Sequence, residues 1–105
     1  MQNIETRSQE KIYLEVYDNG VLAQADSIPS LQIYDADNDA DPIAGFDSLT
    51  AVDEPEAGKY SFLLTQSITS INRVLEVRWT YTIDGVQNEQ IDRNNIRRSA
   101  RTEKI

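Results

Sequence analysis

One segment constrains the fold more than any other, the run RVLEVRWTYTIDG that begins at Arg73. Every second residue over 77–83 is apolar, with Trp79 among them, and the residues between are polar. That period of two is typical of a strand with one face in a core and the other in water. Asp84-Gly85 then forms a favoured two-residue turn, so we expect residues 86–92 to return antiparallel beside this strand.

The rest of the chain shows shorter signals of the same kind. Residues 11–17 alternate between an apolar and a polar face, and the Asp18-Asn19-Gly20 sequence after them is typical of a turn. Further short strands are expected near residues 31–34 and 59–65. About seven strands spaced by roughly 8 to 12 residues, with no apolar pattern of helix length, predict an all-β fold, either an antiparallel β-sandwich or a small barrel.

The segment from 42 to 52 is less regular, because its apolar residues recur at every third position. That spacing would also suit one turn of helix. We interpret the segment as an irregular strand, since Gly45 and Thr50 are poor helix formers and the surrounding pattern is that of strands.

The composition of the chain limits the kinds of binding and catalysis that it can perform. The 105 residues suit one domain, and a formal net charge of −8 with a pI near 4.3 argues against general affinity for nucleic acids or anionic membranes. The chain contains neither His nor Cys, which excludes Ser-His and Cys-His catalysis and the usual zinc ligand sets. A carboxylate pair of the glycosidase type stays open, but nothing in the sequence selects a pair, so we expect no enzyme activity.

Charge is unevenly distributed, with a basic C-terminal segment after an acidic body. Residues 93–105 have a net charge of +4, whereas residues 1–92 hold 5 basic and 17 acidic residues, a net of −12. We therefore predict an N-terminal arm over 1–10, a β-sandwich domain over 11–92 and a basic C-terminal arm over 93–105. The basic residues of the C-terminal arm are Arg93, Arg97, Arg98, Arg101 and Lys104.

Two roles suit the basic arm. It resembles the basic termini that bind nucleic acid, but it lacks the aromatic residues of a single-strand binder and follows a strongly acidic domain. The alternative is that it lies along the acidic face of a partner or of a neighbouring copy, where complementary charge orients docking. We favour this second role, and so expect protein subunits of one assembly as partners, with neither nucleic acid nor membrane bound.

An acidic loop follows the strand near residues 31–34. It carries carboxylates at alternate positions, Asp35, Asp37, Asp39 and Asp41, as a calcium loop begins. An EF-hand loop would need Gly where Ala40 stands and Glu where Phe46 stands. We therefore interpret these residues as an exposed, solvated loop and expect no cofactor, with calcium as the less favoured alternative.

The aromatic residues suggest different roles for different strands. Trp79 shares its face with apolar residues, so we interpret it as a core residue rather than a platform on which a sugar ring stacks. Tyr13 and Tyr17 occupy the face opposite the apolar residues of their strand. They are the candidates for an exposed aromatic contact patch.

Four short motifs occur in order along residues 11–92: IYLEVYDNG, SIPSLQIYD, GKYSF and VRWTYTIDG. Their layout resembles the immunoglobulin-like modules of bacteriophage virion proteins. The resemblance implies an immunoglobulin-like sandwich in a virion, made in the host cytoplasm, with a non-enzymatic role in capsid decoration or at the neck or tail. The resemblance assigns no binding residues in this chain, because the matched positions are structural. The alternative is a carbohydrate-binding or adhesion module, calcium-dependent if the acidic loop joins Tyr13 and Tyr17 in its site.

Overall fold

The computed structural model of the chain describes residues 2–97 and shows an all-β protein, as the alternating pattern predicts. These residues form ten strands and one helical turn. The strands are β1 (Gln2–Glu5), β2 (Glu10–Glu15), β3 (Tyr17–Asp18), β4 (Val21–Leu22), β5 (Ser30–Asp35), β6 (Leu49–Thr50), β7 (Val52–Asp53), β8 (Lys59–Leu64), β9 (Arg73–Ile83) and β10 (Val86–Arg97), and the helix is α1 (Gln66–Thr69).

The strands form three sheets. A large sheet has the order β1-β10-β9-β5-β6, a small sheet has the order β2-β8-β7, and β3 and β4 form a separate hairpin. All pairs are antiparallel except β1 with β10, which is parallel. The parallel pair involves β1, which comes from the segment predicted to be an N-terminal arm, whereas the described pairs within residues 11–92 are antiparallel.

Two predicted turns are confirmed, and both have left-handed backbone at two successive residues. Asn19 and Gly20 join β3 to β4 with φ of 53° and 80°, and Asp84 and Gly85 join β9 to β10 with φ of 49° and 78°. Two positive φ angles define the type I′ turn, whose twist matches that of paired strands. The Asp26 carboxylate accepts hydrogen bonds from both backbone N–H groups of the second turn, at 3.0 and 2.8 Å.

One hydrophobic core receives side chains from both larger sheets. Trp79 is completely buried, which confirms its interpretation as a core residue, and it lies opposite Leu31 of β5 in the sheet register. The small sheet contributes the predicted apolar face of β2 and the buried Tyr60 of β8, whose hydroxyl accepts a hydrogen bond from the Ala25 N–H at 3.0 Å. Alternation along each strand thus decides which side chains meet in the core.

The two segments predicted to be arms lie, in their described parts, within the large sheet. β1 pairs with the end of β10 in a register that sets Ile4 opposite Ile96, and both side chains are buried in the core. β10 continues without a break from Val86 to Arg97. The boundaries proposed at residues 10 and 93 therefore divide strands that pack together, and residues 98–105 lie outside the described part of the chain.

The outer face of β9 is less exposed to water than the alternation predicts. Glu76 is only 4% exposed, because Arg78 and Arg93 contact its carboxylate at 2.6 and 3.3 Å and the Arg78 guanidinium lies 3.8 Å above the ring of Tyr34. A hydrogen bond from Arg78, and a weaker one from Arg93, hold the pKa of Glu76 below its ordinary value. This face is an ion-pair cluster rather than a hydrated surface.

Two connections differ in detail from the sequence interpretation. The segment 42–52 contains no helix, and its end holds β6 and the start of β7 on either side of Ala51. Residues 42–48 form turns and irregular backbone, so the predicted strand is present only in the last part of the segment. The connection after β8 contains the single turn α1, whose Ile68 is fully buried. No helix among residues 2–97 has the length and apolar character needed to cross a bilayer.

Candidate interaction surface

A cleft of about 600 Å³ opens between the middle of β10, at Gln90 and Asp92, and the edge strand β2. Its volume lies in the range of about 300 to 1,000 Å³ that is common for binding pockets, which typically combine aromatic walls with a few polar groups. We call it the tyrosine cleft. It is lined by Tyr13, Leu14, Glu15, Tyr17, Lys59, Gln90 and Asp92.

Both tyrosines predicted to form a contact patch lie in this cleft. Tyr13 is 56% exposed and Tyr17 is 52% exposed, so their exposure is confirmed. The Tyr17 hydroxyl donates a hydrogen bond to the Glu15 carboxylate at 3.4 Å. An exposed tyrosine ring presents both an apolar face and a hydrogen-bonding hydroxyl to a partner. That these rings bind a partner stays a prediction.

The base of the β3–β4 hairpin, which carries Tyr17, is held by a close approach of Gly58. Val16 donates its N–H to the Gly58 carbonyl at 2.8 Å, and Ala23 donates its N–H to the Val16 carbonyl at 2.9 Å. A Cβ atom on Gly58 would lie 2.9 Å from the Ala23 nitrogen, and the residue has a φ of +86°. Glycine is therefore required here for both space and conformation.

The described lining of the cleft includes the ammonium group of Lys59 and the carboxylates of Glu15 and Asp92. Lys59 lies 3.5 Å from Glu15 and 3.4 Å from Glu56, and the hydrogen bond and charge of Glu56, followed by those of Glu15, raise the lysine pKa. Asp92 accepts a hydrogen bond from the Gln90 amide at 3.1 Å, and it forms no ion pair with any described residue. The carboxylate of Asp92 is thus available to a cationic partner.

A second depression of about 290 Å³ continues from the cleft toward the β9–β10 turn and shares Tyr17 with it. It is lined by Tyr17, Asp18, Tyr81, Ile83, Asp84, Val86 and Asn88. The even-numbered residues of β10 from Val86 to Asp92 therefore line one continuous surface. Together the two depressions carry four carboxylates against the single ammonium of Lys59.

Next to this surface, one edge of β10 pairs with no strand among residues 2–97. β9 pairs along the whole length of β10, whereas β1 pairs only with Asn94–Arg97. Thr6 donates its N–H to the Arg97 carbonyl at 3.2 Å on the β1 side, and backbone groups of alternate residues point to the same side of a strand. Four residues of β10 therefore direct backbone N–H and C=O groups at an edge that no described strand covers. They are Gln87, Glu89, Ile91 and Arg93.

The basic residues of the predicted site are not gathered at the cleft. Arg93 lies on the opposite face of β10 from Asp92 and contacts Glu76. Arg97 ends β10 in register with Glu5, at the far end of the strand from the cleft. Arg98, Arg101 and Lys104 lie outside the described residues.

The acidic loop is also separate from the tyrosines. Asp35 forms an ion pair with Arg73 at 3.9 Å, and Asp39 pairs with Arg78 at 3.7 Å on the outer face of the large sheet. Within residues 2–97 no three carboxylates come together as a cation would require. None of the four carboxylates of this loop lines the tyrosine cleft, and a calcium-dependent role for the loop stays a prediction.

Sequence patterns alone did not identify several residues of the cleft. Lys59, Gln90 and Asp92 belong to three polar stretches that look like ordinary exposed strand ends. The predicted hairpin partner of β9 did hold a signal, because residues 88, 90 and 92 share one face of an alternating strand. The sequence does not show that the small sheet leaves this part of the face uncovered.

Comparisons of the chain with protein-family models, with curated proteins and with solved structures gave no match.

Proposed function

We propose that this chain is a non-enzymatic assembly subunit of a phage particle, an immunoglobulin-like module that decorates the capsid or belongs to the neck or tail. The observation that supports a docking role is the tyrosine cleft, where two half-exposed tyrosines lie beside an uncovered strand edge. Tyrosine is enriched at protein interfaces because its rigid ring buries a large area at low entropic cost. The phage setting is supported by the sequence motifs.

The immunoglobulin-like part of the proposal is supported by the two sheets that share one core and by the two hairpins with type I′ turns. The parallel β1–β10 pair also suits such a module, since an N-terminal strand on the edge of a sheet ties the chain end to the body. A virion location and synthesis in the host cytoplasm belong to the same proposal.

Incorporation of variants into particles tests this function. In the phage that encodes the chain, the Tyr13→Ala/Tyr17→Ala double variant should be depleted from purified particles, because the two rings form the aromatic part of the contact. Leu63→Ala is the matched control, since Leu63 is 45% exposed on the small sheet and does not line the cleft. Quantitative mass spectrometry of the particles measures the copy number. Wild-type copy number in the double variant would refute docking through the cleft, and absence of the wild-type chain from particles would refute the setting.

A carbohydrate-binding role is the second candidate, and the composition of the same cleft favours it. Tyrosine rings stack on sugar C–H groups, and planar polar side chains such as Gln90 and Asp92 bond to hydroxyls beside them. The isolated protein should then bind a glycan on an array, and Tyr17→Ala should remove the signal. Repeating the array with calcium and with a chelator tests whether the acidic loop contributes. An array with no signal in either buffer rejects this candidate.

A further inference from the structure

We propose that the tyrosine cleft and the uncovered edge of β10 receive the basic C-terminal segment of a second copy of this chain, residues 98–105. The inference rests on the proposed function, because it names the partner of the same docking surface. Its support comes from the position of β1 and from the charge of the surface.

The position of β1 shows how a strand fits on this side of β10. β1 pairs in parallel with Asn94–Arg97, and its Ile4 side chain points inward and is buried in the core beside Ile96. A second strand in line with β1 would pair with the odd-numbered residues Gln87–Arg93, by the same backbone geometry. Its inward side chains would enter the cleft beside Gln90 and Tyr13. Addition of a strand would thus use the backbone groups and the cleft together.

The negative charge of the cleft and of the adjoining depression favours a basic segment as the partner. Asp18, Asp84 and Asp92 line the surface, and none of them has an ion pair with a described residue. Residues 98–105 read RSARTEKI and hold three cations against one carboxylate. Opposite charges that meet at a partly dehydrated surface steer and orient association.

The position of β1 favours a second copy over the same chain. β1 pairs with Asn94–Arg97, so it occupies the stretch of β10 that residues following Arg97 would have to pass to fold back onto the edge at Val86–Arg93. The segment of a neighbouring copy does not have to pass β1.

An interface of this kind is head-to-tail, because each copy offers one cleft and one basic segment. Heterologous contacts close into rings or extend as open chains. Such geometry suits a subunit that repeats within an assembly.

The experiment uses full-length chains with one surface altered at a time. A tail variant carries Arg98→Glu, Arg101→Glu and Lys104→Glu, and a cleft variant carries Tyr17→Ala and Asp92→Asn. In sedimentation velocity at low salt we expect the wild type to self-associate as its concentration rises, and each variant to associate at least about tenfold more weakly, a change of about 1.4 kcal/mol. Asp41→Asn is the control, since Asp41 is exposed on the acidic loop and loses the same charge.

Mixing the two variants gives the decisive result. The cleft variant keeps its basic segment and the tail variant keeps its cleft, so an equimolar mixture should form a dimer that neither variant forms alone. Raising the salt should weaken this dimer, because screening shortens the range of the charge attraction. A wild type that stays monomeric, or a tail variant that associates like the wild type, overturns the inference. The particle experiment tests the docking role independently of this inference. If the wild type is monomeric in solution but the Tyr13/Tyr17 variant is depleted from particles, the second copy is rejected as the partner and the docking role is retained.

Discussion

Ile96→Ala tests whether the last strand belongs to the folded body, as the structure shows, or to a separable arm. Ile96 is fully buried on β10, opposite the buried Ile4. Truncation of a buried isoleucine to alanine costs about 2 to 5 kcal/mol, because transfer free energy is lost and a cavity remains. β1 is a short edge strand that can relax toward the cavity, so we expect a loss near the middle of that range, about 3 kcal/mol in the free energy of unfolding.

The assay is thermal and urea unfolding, followed by circular dichroism and by the fluorescence of Trp79, the only tryptophan of the chain. For a domain of about 100 residues, 1 kcal/mol shifts Tm by about 4 °C or more, so we expect a fall of at least about 12 °C. Ile91→Ala is the matched control, because Ile91 lies on the same strand and is 51% exposed. It should change stability by less than about 0.5 kcal/mol. Equal effects of the two substitutions would refute the packing of β10 against the core.

Three further substitutions test particular contacts, and each is followed by chemical unfolding. Gly58→Ala should lower the free energy of unfolding by about 2 to 4 kcal/mol, since the new Cβ would meet a backbone atom at 2.9 Å. Gly45→Ala is the control, because Gly45 has a similar φ of +85° but open space around it, and it should lose only about 1 to 2 kcal/mol through left-handed strain. Equal losses in the two variants would show that crowding at Gly58 is unimportant. Tyr60→Phe should cost about 1 to 3 kcal/mol by leaving the buried Ala25 N–H without its acceptor, and an unchanged midpoint would contradict that bond. The hydrogen bond from Arg78 is the chief cause that lowers the pKa of Glu76, so the stabilisation from this carboxylate is complete above its ordinary pKa of 4.5 and is lost as pH falls through the lower folded value. Glu76→Gln should therefore be less stable than the wild type at neutral pH, and the difference in stability should shrink in acid. A difference that does not change with pH would disprove the linkage.

Local pattern was sufficient to predict the strands that form the centre of the fold. The alternation around Trp79 gave the correct inward face, and the Asn19-Gly20 and Asp84-Gly85 dipeptides marked both hairpins. These signals are local, because the period of a strand and the φ preference of a turn depend on adjacent residues. The all-β class followed from them.

The pairing of the chain ends could not be predicted in the same way. Residues 2–5 read QNIE and contain a single apolar side chain, so no period is visible there. The partner of Ile4 lies 92 positions away at Ile96, in a parallel pair that no turn connects. Burial of Glu76 has a similar origin, since it depends on arginines and a tyrosine supplied by the same strand and by both neighbouring strands.

The candidate site forms because the small sheet covers only part of the large sheet. Sequence pattern therefore identified the two tyrosines of the site but not Gln90 and Asp92 on β10. Five strands of the large sheet face three strands of the small sheet, so within residues 2–97 no sheet lies opposite part of the inner face of β10. At one end of β10, the inward Asn94 and Ile96 are buried, where β1 pairs alongside and α1 adds Ile68 to the same core. In the middle of the strand, the half-buried Gln90 and Asp92 lie beside the edge of β2. Tyr13 of β2 and Tyr17 of β3 project from that edge because they alternate along the chain with the buried Leu14 and Val16. Under the proposed function, stability and docking depend on neighbouring parts of the same strand, so substitutions at Asp92 should alter association while those at Ile96 alter folding.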